Sequence, residues 1–230
     1  VAVSQYTRSQ ILRRYGKNLD DKIQVVYEGW EHLLLHEKDK YEFPQDVTFK
    51  NYILYVGSSR AHKNLSRLLE AIQQCHLQLP PEWGFLFIGS NTMLSNKQVQ
   101  QIKEINAKCQ VVQFTGWKDA SSLATYYRHA KALIFPSLSE GFGIPILEAY
   151  FYHLPLLLSN QASLSEVAGE AAIYFNPYDT NEIAQTILQF VQQSDHSDLI
   201  ALQTQRLARY SWKYASNQLN VQIQQICKSI

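Results

Sequence analysis

Two short stretches of this sequence carry residue types that could hold and polarise a negatively charged ligand. The first, Gly57-Ser58-Ser59-Arg60-Ala61-His62-Lys63-Asn64, runs from an apolar stretch into a helical pattern. Gly57 lets backbone approach a ligand, and Arg60 and Lys63 bring cations to a helix N-terminus. Unpaired N–H groups and the helix dipole favour anions there. The stretch is neither a Walker A loop nor a GxGxxG fingerprint, so an ordinary strand–helix turn with solvated cations is the competing reading. His62 reads as a phosphate contact or as a solvated loop histidine.

The second stretch is Pro136-Ser137-Leu138-Ser139-Glu140-Gly141-Phe142-Gly143-Ile144-Pro145-Ile146-Leu147-Glu148-Ala149. Pro145 suits the first helical position, where its missing N–H costs nothing. Gly141 and Gly143 make a compact turn whose N–H groups can form an anion nest. Glu140 precedes the helix and Glu148 lies about one turn into it, on the buried side with Leu147. A carboxylate so placed needs partners, and sugar hydroxyls fit. A capping Glu140 with a salt-bridged Glu148 is the plainer alternative.

These stretches have to be held by regular elements, and the sequence alternates short apolar runs with helical patterns. The strand candidates are Ile23–Tyr27, Tyr52–Val56, Phe85–Ile88, Val111–Phe114, Ala132–Phe135, Leu154–Leu158 and Ala172–Phe175. Nearly all-apolar strands are those of a parallel sheet buried on both faces. Leu65, Leu68, Leu69 and Ile72 recur at helical spacing after the N-cap candidate Asn64. Val99, Ile102 and Ile105, then Leu123, Tyr126, Tyr127 and Ala130, do the same, and a further helix starts near Thr180. The order predicts an α/β fold with a doubly wound parallel sheet, closed by two or three C-terminal helices. Residues 1–22, with Arg8, Arg13, Arg14 and Lys17, read as a short basic helix, facing solvent or a neighbouring domain rather than a membrane. In such a sheet ligands sit at the carboxyl ends of the strands, near the switch in strand order. Gly57, Gly89, Gly116 and Gly141 lie at or near such ends.

Composition sets the outer bounds. The 230 residues are 46% hydrophobic, enough for a substantial core, and 21 Lys plus Arg against 20 Asp plus Glu give a net charge of +1. That balance offers no electrostatic case for nucleic acid or a membrane surface. Nine glycines are about half the usual ~7%, so each has a backbone reason to be present. Cys75, Cys109 and Cys227 form neither a disulfide framework nor a zinc spacing, and point to a reducing compartment. No apolar stretch approaches the ~18 residues of a transmembrane helix. The opening Val1-Ala2-Val3-Ser4 is not a signal peptide and reads as the continuation of a longer chain.

Several of these segments, in this order, resemble retaining glycosyltransferases of family 4 (glycosyl transferases group 1). Glu140-Gly141-Phe142-Gly143-x-Pro145-x-x-Glu148-Ala149 is similar to that family's E-x7-E segment, and Gly57-x5-Lys63-Asn64 to its phosphate loop. Phe114-x-Gly116 with Leu123-x-x-Tyr126-Tyr127-x-x-Ala130 resembles its base-binding strand end and following helix. Ser165-Glu166-Val167-Ala168-Gly169 with Asn176-Pro177 resembles the segment after it. The likeness covers nearly the whole chain. It implies the C-terminal, donor-binding half of a GT-B enzyme, with residues 1–30 the end of an N-terminal domain and linker and 31–230 a nucleotide-sugar-binding Rossmann-like domain.

Carried over by position, the resemblance implies that Lys63 neutralises the diphosphate leaving group, with Arg60 assisting. Glu140 contacts hydroxyls of the transferred sugar, and Glu148 accepts from the ribose. The N–H groups from Gly141 through Phe142 and Gly143 to Ile144 meet phosphates and sugar, and the backbone near Trp117 and Lys118 reads the base. Gly57, Ser58, Asn64 and Gly89 complete the donor-binding set. No metal or other cofactor is implied. The partners are a UDP- or GDP-linked sugar and a carbohydrate or lipid-linked acceptor bound through the N-terminal domain. The implied location is cytoplasmic, at most peripheral to the cytoplasmic face of a membrane, and the implied pathway is polysaccharide biosynthesis. A GT-B sugar-nucleotide epimerase and a non-catalytic nucleotide-sugar-binding module are the alternatives. Ser58 and Lys118 depart from common family residues at positions bearing on nucleotide preference. His153 replaces a usual glycine, which is expected to reflect local packing.

Overall fold

The computed structural model describes residues 1–36, 41–89 and 94–228. Its strands are β1 (Asn51–Val56), β2 (Trp83–Ile88), β3 (Val112–Phe114), β4 (Ala132–Phe135), β5 (Leu156–Ser159) and β6 (Ile173–Phe175). They form one parallel sheet in the order β3-β2-β1-β4-β5-β6. Successive side chains of a strand point to opposite faces, and here both faces are covered. Tyr52, Leu54, Leu133 and Leu156 pack on one side, and Ile53, Tyr55, Ile134 and Leu157 on the other.

Helices α4 (Ala120–His129), α5 (Ile144–Phe151) and α6 (Leu164–Ala168) cover the first face through Tyr127, Tyr150 and Val167. Helices α2 (Leu65–Cys75), α3 (Asn96–Lys108) and α7 (Thr180–Gln192) cover the second through Leu68, Ile105 and Ile187. Their starts follow side-chain chemistry: Ser95 and Gln98 form a capping box on α3, and Asp119 and Asp179 cap α4 and α7. From β1 the chain winds outward to β2 and β3, then returns to lay β4 against β1 and winds the other way. The switch point therefore lies between β1 and β4. The expected doubly wound α/β fold is present, and α7, α8 (Ser197–Leu207) and α9 (Trp212–Lys228) close it.

Several boundaries differ from expectation. The run Ile23–Tyr27 forms no strand, only a parallel bridge between Ala2 and Val25. The reason lies upstream: the Ser4 side chain accepts from Thr7 N and starts α1 (Gln5–Tyr15), so the pairing is confined to Ala2, whose N–H donates to Gln24 O and whose carbonyl accepts from Val26 N. The basic helix expected over 1–22 stops at Tyr15 because Gly16 turns the chain at φ 104°, and a 3₁₀ turn follows over Lys17–Lys22. The fifth strand begins at Leu156 rather than Leu154. Pro155 has no N–H to give the ladder, and its carbonyl accepts from Leu133 N.

Residues 1–31 lie against this unit. The Glu166 carboxylate accepts from Gln5 N (2.7 Å), Tyr6 N (3.0 Å) and the Tyr27 hydroxyl (2.9 Å). Glu31 accepts from Ser211 Oγ and from Trp212 N at 2.8 Å, capping α9. Gly29 passes the start of α9 so closely that a Cβ there would lie 2.0 Å from Trp212 N.

Candidate active site

The two stretches singled out by residue type leave the sheet from β1 and β4, the strands that flank the switch point. Their backbones are joined, Leu138 N donating to His62 O at 2.7 Å. Across this join Lys63 Nζ meets Glu140 Oε1 at 2.8 Å, with side chains only 20% and 15% exposed. A pair this shielded is screened far less than a surface ion pair. Lys63 Nζ also stands 5.2 Å from the centre of the Phe135 ring. Arg60 is exposed on the same loop, and no carboxylate among the described residues forms a salt bridge with it.

Gly57 and Gly89 bring the ends of β1 and β2 into backbone contact. A Cβ on Gly89, which sits at φ 151°, would lie 1.9 Å from Gly57 O. Ser58 contributes its carbonyl, which accepts from the Tyr55 hydroxyl at 3.0 Å. Asn64 stands at the N-cap of α2 as expected, its carbonyl accepting from Leu68 N at 3.2 Å, but its side chain does not do the capping. It is a left-handed residue at φ 58° whose side chain makes no capping bond to α2. Its buried amide donates instead to Pro136 O (3.1 Å) and Pro177 O (2.8 Å), tying together the loops after β1, β4 and β6. The Asn64 side chain thus shapes the site and is spent on protein carbonyls.

Glu148 points from α5 toward α4, where the Tyr127 hydroxyl donates to it at 2.5 Å. Burial pushes its carboxyl up from the ordinary range, against the Tyr127 hydrogen bond and the Lys63 charge. A cavity of about 60 Å³ beside it is lined by His32, Leu33, Leu123, Tyr127 and Tyr152. At the other end Trp117 is 76% exposed. The Lys118 ammonium is committed to Asp46 (2.9 Å) and lies 5.2 Å from the centre of the Tyr126 ring. Hydrogen bonds to Tyr126 and Asp46 raise its pKa. Backbone, rather than the Lys118 side chain, is what this end offers a ligand. No cluster of three or more His, Cys, Asp or Glu among the described residues could hold a metal ion.

The family model described as glycosyl transferases group 1 matches residues 37–206. The chain belongs to the glycosyl transferases group 1 family. It is 26% identical over 226 residues to O-antigen chain mannosyltransferase B of Escherichia coli, covering 95% of this chain and 58% of that protein. It is 27% identical over 213 residues to O-antigen chain mannosyltransferase RfbU of Salmonella typhimurium, covering 92% and 55%. The chain thus spans a little over half the length of these curated relatives. A glycosyltransferase of Rickettsia africae superimposes with TM-score 0.77 at 19% identity, over 96% of this chain and 61% of that one. Anabaena Alr3699/HepE, solved in complex with UDP and glucose, does so with TM-score 0.76 at 18% identity, over 100% and 62%.

Within this group 1 fold, the structure adds residues that sequence reasoning missed. Ser163, fully buried before α6, lies 2.9 Å from Glu140 O and 3.0 Å from Phe142 O. Ser4 Oγ and Thr7 Oγ1 reach Gly141 O at 2.6 and 2.9 Å. Lone serines in turns carry no spacing signal; only the left-handed Ala162 (φ 58°) marks the place, and a sequence does not display it. The hydroxyls of Ser137 and Thr115, after β4 and β3, are buried and have no partner among the described residues. Unpaired buried hydroxyls are uncommon enough to mark these loops as unusual.

Proposed function

We propose that this chain is the donor-binding part of a retaining glycosyltransferase that moves a sugar from a UDP- or GDP-linked donor to a carbohydrate or lipid-linked acceptor. The observation that carries the reading is the shielded Lys63–Glu140 pair at the switch point, where loops from β1 and β4 are tied together. A cation held beside a carboxylate suits a ligand that brings both a diphosphate and sugar hydroxyls. On donor binding Lys63 turns to the phosphate oxygens and Glu140 to the sugar. As the bond from the anomeric carbon to the phosphate oxygen breaks, the departing nucleoside diphosphate gains charge, which Lys63 and the exposed Arg60 neutralise. Fixed charge of this kind is commonly the largest catalytic contribution, and the reading asks for no metal. Glu148 accepts from the ribose hydroxyls, with Tyr127 fixing one of its oxygens.

The acceptor and most of its contacts belong to a further domain of a GT-B enzyme, so the isolated chain binds donor and transfers sugar poorly. The names of the two O-antigen relatives make mannosyl donors the first to try, and they favour polysaccharide assembly. Calorimetric titration of the chain with UDP- and GDP-linked hexoses tests the reading. Binding of one donor is expected, and no binding of any at millimolar concentration would overturn it. In the complete enzyme, Lys63→Ala is expected to lower kcat by about 10²–10³-fold while the fold is kept. Near-normal turnover would remove Lys63 from the catalytic role.

A further inference from the structure

Successive carbonyls of the acidic loop are each held by a hydroxyl from elsewhere in the chain. Glu140 O and Phe142 O face Ser163 Oγ, whose single proton the two share, and Gly141 O takes Ser4 Oγ and Thr7 Oγ1. In a trans peptide the C=O and the following N–H point in opposite directions. Fixing Glu140 O and Phe142 O toward Ser163 therefore turns the N–H groups of Gly141 and Gly143 away from Ser163, to a common side. Fixing Gly141 O toward α1 turns the Phe142 N–H away from α1. Among the described residues none of these N–H groups has a protein acceptor. The arrangement is maintained against local cost. Ala162 occupies the left-handed region at φ 58° directly before Ser163, a conformation of order 1 kcal/mol above the ordinary ones that persists where surroundings over-determine it.

We propose that Ser163 is a positioning residue that, with Ser4 and Thr7, presets residues 140–143 as an amide nest for the phosphate oxygens of the donor. The proposal rests on the donor reading above and adds the residues that aim its backbone. It also assigns α1, far away in sequence, a share in the phosphate site.

The test is a titration of ¹⁵N-labelled chain with UDP and, separately, GDP, for the wild type, Ser163→Ala and Thr7→Val. In the wild type the Gly141 and Gly143 amide resonances are expected to move with the nucleotide that binds. Ser163→Ala should abolish those movements and weaken the diphosphate by about tenfold or more, leaving the weak affinity for the bare nucleoside little changed. A variant that was merely less stable would lose both. Thr7→Val, at a partly exposed site where folding is less at risk, should weaken the diphosphate by a smaller factor. Unchanged affinity and unchanged glycine shifts in Ser163→Ala would overturn the proposal. So would wild-type Gly141 and Gly143 amides that stay still while other resonances respond. If no resonance responds to either nucleotide, the donor reading itself fails.

Discussion

Glu148 is ionisable in a place where burial opposes its charge, and that opposition has a sign. Its carboxyl is raised in the folded chain, so between the ordinary value and the raised one the folded state holds a proton that the unfolded state has released. Stability contributed by this group is complete below the ordinary value of 4.5 and is lost as pH rises through the raised one. Glu148→Gln keeps an acceptor for Tyr127 and removes the charge. We expect its melting temperature to exceed the wild type's at mildly alkaline pH, by on the order of 2–4 °C for each kcal/mol relieved. The gain should vanish in acid, while donor affinity falls. Scanning melts across pH checks this, and a lower alkaline melting temperature would refute it. Both acidic residues were legible in the sequence from their spacing and glycine neighbours. Their partners were not. Lys63 and Glu140 are separated by 77 positions, and Tyr127 reads as plain core until the fold turns its hydroxyl toward α5.

At the scale of elements, legibility followed burial. The strands announced themselves because both faces of the sheet are covered and their residues are mostly apolar. What the pattern missed was backbone handedness. Asn64 looked like a helix cap, and His153 like a packing variant at a glycine position, yet both occupy left-handed backbone, at φ 58° and 53°. Asn is among the residues that tolerate this region, and at position 64 the tolerance frees its amide to tie the loops after β4 and β6. Asn64→Gly separates the two contributions, since glycine keeps the turn and deletes the amide. We expect a loss of about 1–3 kcal/mol in urea denaturation, with weaker donor binding as the loops part. Stability equal to the wild type would show that the amide ties little.

At the scale of the molecule, the sequence reading divides the chain at residue 30, and the structure shows how much crosses that line. Ser4 and Thr7 reach the acidic loop, and Tyr27 and the start of α1 reach Glu166. A chain trimmed to begin at residue 31 is therefore expected to melt lower and to bind nucleoside diphosphate more weakly than the 230-residue chain. Equal melting and binding would show that residues 1–30 are carried without effect. The close pass of Gly29 over α9 has a mechanical consequence as well. There is no room for even a methyl group between Gly29 and Trp212 N, and Glu31 is bound to the first turn of the helix. A side chain at position 29 would therefore force the entering chain and the start of α9 apart.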